Sequence, residues 1–316
     1  MDHSVITRAK SIAARIFSER VRNVLKAVWM VVVTAFVVRY VVRNWDELYD
    51  TVSSFSGLVL LSTVLVTMGG KVVISVHSQL ITRVNGTRFS FRESFWMYSA
   101  SDLVKYVPGG LWNALARVRL YTARGMTPAT ATKAFALEKY WMLVGALGTG
   151  AVALTPDLLD RIGVEAGTGA VWSVRIALVV ALFAAMWIGG RVSGRHLQPR
   201  DVVRAIVEQS VMAVLFGLGV SIPLSAVHAH VSTTTAIGAF SMGRGLGYVA
   251  VFAPAGIGVR EVVTLWALGK GHGAATDTML IALAVNRVMT FVADLATFGS
   301  SLVVRPSRTG EVIESP

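Results

Sequence analysis

The stretch DLVKYVPGGLWNALARVRLYTARG, residues 102–125, decides how this chain is read. Around it lie apolar runs of roughly 17–25 residues, the length a helix needs to cross a bilayer's hydrocarbon. This stretch is not one of them. Pro108, Gly109 and Gly110 break it in the middle, while Asp102, Lys105, Arg117, Arg119 and Arg124 charge it on both sides of the break. Tyr106, Trp112 and Tyr121 give it the character of a membrane interface. A second stretch, 247–271, has the same form: a break at Pro254, Gly256 and Gly258, then Arg260 and Glu261. Broken backbone is tolerated at membrane depth only where it is buried in protein or lines a watery cavity. Each stretch is therefore expected to be a pair of half-helices that enters the membrane and returns to the same side.

Composition supplies the frame. Of 316 residues, 54% are hydrophobic and 15% charged, and the mean hydropathy is +0.61; soluble domains carry about 25% charged residues. An all-α polytopic membrane protein is predicted, since the short alternating segments of a β-barrel are absent. There is no cysteine, which removes disulfides, thiolate metal sites and iron–sulfur clusters. The net charge of +12 gathers at helix ends and loops, as the positive-inside rule expects, where it also meets anionic head groups. Nucleic acid is not needed to explain it.

In chain order, residues 1–26 read as a cytoplasmic amphipathic helix, basic with apolar positions at helical spacing. Spans are expected at about 27–43, 57–82, 131–154, 171–190, 204–226 and 277–303, with the broken stretches at 93–122 and 234–269. That makes about six spans and two re-entrant hairpins, followed by a disordered cytoplasmic tail over 305–316. The segments 83–92, 119–133 and 191–204 are basic and expected inside with both termini, and the acid-rich loops 44–56 and 155–170 outside. The first hairpin would then dip from the cytoplasm and the second from the exterior.

Shifting the sequence by 146 positions brings the two breaks together. Pro108 falls on Pro254, Gly110 on Gly256 and Gly125 on Gly271; Ala129, Thr130, Thr132, Ala136 and Leu137 also meet identical residues. The first span lands on the fourth and the second on the fifth. Two repeats follow, over 27–155 and 171–304, each made of two spans, a hairpin and a third span. Three crossings per repeat is odd, so the second is inverted, the architecture of many transporters. The alternative is that both proline–glycine sites merely kink continuous spans.

Ionisable residues inside spans are costly and usually paired or functional. Lys105, Trp112, Arg117, Arg260 and Arg287 are the candidates to bind substrate, and Glu138, Lys139, Glu208, Glu261 and Asp294 to gate or couple. Free N–H groups after the breaks, with arginines nearby, would favour a phosphate. A second reading uses the same residues as buried salt bridges, Glu138 with Arg117 and Glu261 with Arg287, that only hold the hairpins. Both readings stand at this point. Lys71 and His77, within the second span, either snorkel or line the cavity. His228, His230 and His272 read as loop histidines, and Gly148, Gly150, Gly243, Gly245 and Gly247 as sites of close helix packing. No metal or cofactor is expected.

The run KYVPGGLWNALARVRLYTARGMTPATATKAFALEK (105–139), followed by PAGIGVREV (254–262), resembles the membrane domain of lysylphosphatidylglycerol synthases and of stand-alone proteins sharing this flippase-like domain. Lys105, Tyr106, Pro108, Gly109, Trp112 and Arg117 carry the first motif, and Pro254, Gly256, Gly258, Arg260 and Glu261 the second. Ala255 departs from the commoner glycine. The synthases carry a cytosolic aminoacyl-transferase domain without counterpart in this sequence, so the resemblance implies lipid translocation without lipid synthesis. The expectation is a non-enzymatic flippase of the bacterial cytoplasmic membrane. It would move a phospholipid, an aminoacyl-phospholipid or a polyprenyl-phosphate sugar by alternating access. The alternatives are an integral-membrane transferase acting on a lipid-linked sugar and a non-transporting scaffold for a lipid-modifying partner.

Overall fold

The computed structural model describes residues 55–106, 112–151, 167–193, 197–250, 256, 258–269 and 274–305, with residues 42, 49 and 53 as isolated positions. The expected amphipathic helix, the first span and most of the 305–316 tail lie outside these residues, as do Pro108, Gly109, Gly110 and Pro254.

Among the described residues every regular element is helical. They are α1 (Gly57–Val84), α2 (Phe91–Leu103), α3 (Trp112–Thr122), α4 (Pro128–Gly150), α5 (Thr168–Ser193), α6 (Pro199–Ala226), α7 (Thr233–Val249), α8 (Val259–Leu268) and α9 (Ala274–Val303). Four of them, α1, α5, α6 and α9, are long and apolar enough to cross a membrane. This is an all-α protein with the helices of a membrane protein. At 23 residues, α4 is long enough too, but it carries Lys133, Glu138 and Lys139. The helices flanking the first break, α2 and α3, have 13 and 11 residues. At 1.5 Å per residue each reaches less than about 20 Å, short of the ~30 Å hydrocarbon.

Local sequence sets where the helices start. Ser56 caps α1 by accepting from the Val59 N–H. Ser90 and Glu93 form a reciprocal capping box on α2, Thr127 and Pro128 open α4, and Ser232 caps α7. These side chains satisfy amides that a helix start leaves orphaned. At the second break Gly258 has φ 85° and the Glu261 carboxylate accepts from its N–H at 2.8 Å.

Two 28-residue helices, α1 and α6, form the most extensive helix pair, and both are crossed by α9 and α4. On one side α2 packs on α1, α3 and α9; on the other α7 packs on α6, α8 and α4. The apolar core has two parts. Ile74, Met212, Phe216, Val220, Phe240 and Ile281 centre one, and Leu80, Ile81, Met97, Leu137, Trp141 and Ala205 the other. Apolar side chains also cover much of the outside, with Leu61, Ile176, Val180, Val207 and Val288 more than half exposed, as a lipid-facing surface requires. On α5 the residues turned inward pack against α4, where Tyr140 OH and Trp141 Nε1 donate to the carbonyls of Ala185 and Met186.

Gly243 is where α7 meets α8. A Cβ there would stand 2.5 Å from the Arg260 carbonyl oxygen and against Thr264 Oγ1, and one at Gly245 would stand 2.8 Å from Leu147 of α4. Small residues let these backbones approach, and no phosphate-binding turn is formed.

Candidate functional site

Polar groups collect inside the bundle in three connected places. The first lies where α1, the end of α2 and α9 converge. Lys71, halfway along α1, is 3.2 Å from Asp102 Oδ2 and pairs with Asp294 Oδ1. Three residues past Asp102, on a single 3₁₀ turn (Val104–Tyr106), Lys105 reaches both carboxylates, 2.8 Å from Asp102 and 2.8 Å from Asp294. The Tyr106 hydroxyl donates to Asp294 Oδ2 at 2.5 Å, and its ring stands edge-on to Phe291. Two ammonium groups thus meet two carboxylates and the formal charge closes to zero. Lys71 and Asp294 are shut in, with side chains 4% and 1% exposed, whereas Lys105 is 24% exposed. Burying such a group requires this pairing, because an isolated charge in a medium of low dielectric is strongly disfavoured.

The second place joins α1, α2, α3 and α4. Arg117 and Glu138 are both fully buried and 3.0 Å apart. The guanidinium also donates to Ser101 Oγ at 2.6 Å and, through longer contacts, to Ser78, Tyr121 and the Tyr98 carbonyl, and it lies over the Tyr98 ring. Lys139 reaches Glu138 at 3.3 Å from the bundle's edge. Nearby, the His77 ring lies between the Gln209 amide, 3.1 Å from Nε2, and the Glu208 carboxylate, 2.9 Å from Nδ1; Arg204 closes the chain on Glu208 at 2.7 Å. This network ties α2 and α3 to α4, and Arg117 has no open face.

The third place belongs to α6, α7, α8 and α9. Arg260 lies over the Phe240 ring, 3.5 Å from Glu261, and its Nε has no hydrogen-bond partner. Glu261 also faces Arg287 at 3.9 Å. A cavity of about 10 Å³, room for one water, is lined by Phe240, Arg260, Glu261, Thr264, Leu283 and Asn286. One turn along α7 from Phe240, Arg244 donates to Tyr248 OH at 3.0 Å and stacks on Phe216.

The structure therefore brings Lys105 and Asp294 together, Arg117, Glu138 and Lys139 together, and Arg260, Glu261 and Arg287 together. Glu208 sits with His77, away from the first and third groups. Trp112 is 49% exposed at the start of α3. Of the break residues, Gly256 (φ 68°) and Gly258 hold left-handed backbone. His228 and His230 also have positive φ, at the turn after α6. Among the described residues no three or more His, Cys, Asp or Glu side chains gather as a metal site.

Asp102, Tyr106 and Arg244 were not among the expected site residues. The sequence leaves Lys71 open to two readings. The signal for Asp102 was its spacing of three from Lys105; the signal for Lys71 was a lysine in mid-span, which demands a counter-charge. Nothing in the sequence ties Arg244 to Arg260, because that neighbourhood is made by the crossing at Gly243.

No family model and no curated protein matches this chain.

Proposed function

We propose that the protein is a lipid flippase of two inverted repeats, moving a phosphate-bearing lipid between leaflets by alternating access. The observation that carries this reading is the Lys71–Asp102–Lys105–Asp294 group. Three of its members come from the first proposed repeat and one from the second, and it places four charges inside an apolar bundle. Charges at such an interface mark polar pathways in transporters, and Lys105, the most exposed of the four, is the member a substrate anion reaches first.

Helix positions support the repeat. Adding 146 to the bounds of α2 gives 237–249, against 233–249 for α7; α3 gives 258–268, against 259–268 for α8. Shifting α4 gives 274–296, within α9, and shifting α1 gives 203–230, largely within α6. The packing exchanges in the same way. The contact of α4 with α7 has its mate in α9 with α2, that of α1 with α9 in α6 with α4, and α1 with α6 is its own mate.

In this reading Arg260, Arg287 and Lys105 meet the substrate, and Asp294 and Glu261 exchange partners as the halves move. A specific observation favours the other role for Arg117 and Glu138: their mutual burial and full set of partners make them a structural tie. A bacterial cytoplasmic membrane location with both termini inside, and kinship with the flippase-like domain of lysylphosphatidylglycerol synthases, belong to the same proposal. They rest on the charge pattern and on the two quoted motifs.

The test is reconstitution in liposomes with fluorescent phospholipid, aminoacyl-phospholipid and polyprenyl-phosphate lipids, with head-group accessibility read by a quencher. Translocation that falls in Lys105→Gln and Arg260→Gln is the expected result. Absence of translocation for every lipid class sinks the function, and translocation unaltered by both substitutions sinks the site.

A further inference from the structure

The Lys71–Asp102–Lys105–Asp294 group is neutral only while Lys105 stays in it. Each carboxylate contacts both ammonium groups. Asp102 Oδ2 lies 3.2 Å from Lys71 and 2.8 Å from Lys105, and Asp294 meets the same two lysines. Asp294 accepts in addition from the Tyr106 hydroxyl. The lysines are not equally free. Lys71 is buried in the middle of α1, whereas the part-exposed Lys105 stands on a single turn beyond α2. When a substrate anion draws Lys105 away, one ammonium is left to two carboxylates, and the group carries a negative charge inside an apolar bundle. A buried carboxylate that has lost its counter-charge takes up a proton in preference to staying ionised. Asp294 keeps Lys71 and Tyr106. Asp102 keeps only its longer contact with Lys71, and its side chain is 12% exposed against 1% for Asp294. Asp102 is therefore the carboxylate that water reaches. A metal cation is a poorer replacement for Lys105, because it needs a cage of oxygens and these carboxylates are surrounded by the donors of Lys71, Lys105 and Tyr106.

We propose that the protein is a proton–lipid symporter, in which Asp102 binds one proton each time Lys105 leaves it for the lipid phosphate. This rests on the flippase reading, where Lys105 meets the substrate, and it names the ion that drives transport. The proton comes from water on the side where the lipid enters and binds a carboxylate oxygen of Asp102. After the halves move, the phosphate is released, Lys105 returns to Asp102, and the proton passes to water on the opposite side. A singly charged phosphodiester and one proton cross together, so the step moves no net charge. The other charged and titratable groups around Asp102 are committed elsewhere. On α2 itself Tyr98 lies under the Arg117 guanidinium. On α3, Arg117 pairs with Glu138 and Tyr121 bonds Ser78. On α9, Arg287 faces Glu261. Farther off, Lys139 of α4 contacts Glu138 and Tyr248 of α7 accepts from Arg244. Among the described residues the cations in contact with Asp102 are Lys71 and Lys105.

The full-length protein in phosphatidylcholine liposomes is the material for the test. The probes are acyl-labelled phosphatidylglycerol, lysyl-phosphatidylglycerol and a polyprenyl-phosphate hexose, with the outer-leaflet share read by a membrane-impermeant quencher. Protein-free liposomes are the control, and valinomycin with equal potassium on both sides holds the membrane potential at zero. With the interior about one pH unit more acid than the exterior, the transported lipid is expected to gather in the outer leaflet, by about tenfold over the inner at one proton per lipid. Reversing the gradient is expected to reverse the distribution, and a potential imposed without a pH gradient is expected to leave phosphatidylglycerol evenly spread. Asp102→Asn is expected to abolish the accumulation, and Asp102→Glu, which keeps an acid, to retain it. Should Asp102→Asn fail to fold, the response of the unaltered protein and of Asp102→Glu still decides. Translocation at equal pH with no response to the gradient overturns the coupling and keeps the flippase. Accumulation that survives in Asp102→Asn, or that is lost in a folded Asp102→Glu, overturns the assignment to Asp102. Translocation of none of the three lipids, with or without a gradient, refutes the flippase and the coupling with it.

Discussion

Lys105 Nζ lies 2.8 Å from Asp294 Oδ2, one on the turn that follows α2 and the other deep in the last long helix. The contact ties the broken segment to a membrane-spanning helix from the far end of the chain. With Lys71 and Asp102 it makes a neutral group of four whose members differ in burial, and that difference separates holding the fold from serving transport.

Lys71→Met is expected to destabilise the protein by about 3–5 kcal/mol, and Asp294→Asn by a similar amount, since each removes one partner of a buried charge and strands the rest. Lys71→Met combined with Asp294→Leu is expected to recover part of that loss. Thermal unfolding in detergent, followed by tryptophan fluorescence, measures all three. A double variant as unstable as the sum of the singles would show that the pair is not the source of the effect.

Lys105→Gln is expected to be milder, about 1–2 kcal/mol, because a more exposed ammonium stays partly hydrated in the folded protein. Translocation should nevertheless fall about tenfold, the equivalent of ~1.4 kcal/mol. Unfolding and liposome assays on one preparation give both numbers. A loss of stability as large as that of Lys71→Met, or unaltered translocation, would assign Lys105 to the scaffold.

For Arg117 and Glu138, both without exposure, the expectation is that stability and translocation fall together. Arg117→Met and Glu138→Gln should each cost about 3–5 kcal/mol, and a double-mutant cycle should return a coupling of about 1–3 kcal/mol. Size-exclusion profiles and unfolding curves across the cycle check this. A coupling near zero would mean that Ser78, Ser101 and Tyr121 carry Arg117 without Glu138.

Gly243→Ala is expected to lose about 1–3 kcal/mol, because the added methyl meets the Arg260 carbonyl of α8 and the backbones must part. Gly57→Ala, where a Cβ meets nothing within 4 Å, is the control and should leave stability unchanged or slightly raised. Unfolding midpoints of the two variants compare the sites. If the Gly243→Ala protein also loses translocation, the crossing of α7 and α8 positions Arg260.

Much of the fold was legible in the sequence because membrane helices announce themselves one at a time. An apolar run long enough to cross hydrocarbon has few alternatives, and the expected spans at 57–82, 171–190, 204–226 and 277–303 agree with α1, α5, α6 and α9 to within a few residues. The stretch 93–122 holds two separate helices, α2 and α3, whose bounds lie on either side of Pro108, Gly109 and Gly110, residues that disfavour a helix interior. Ser56, Ser90, Thr127 and Ser232 mark helix starts by capping amides within their own first turn.

The partners of the charges were another matter. Arg117 with Glu138 and Glu261 with Arg287 were legible as complementary charges in neighbouring segments. Lys71 with Asp294 was not, since those residues meet only after α1 and α9 cross. Arg244 reads in the sequence as one arginine among glycines, and becomes a neighbour of Arg260 only because Gly243 lets α7 and α8 touch. Hydrophobicity and backbone chemistry are properties of a segment, so the sequence alone determined which segments are helices and where they break. Electrostatic compensation depends on distances between segments, so only the tertiary structure decided which charges pair and that Arg260 lines a small cavity.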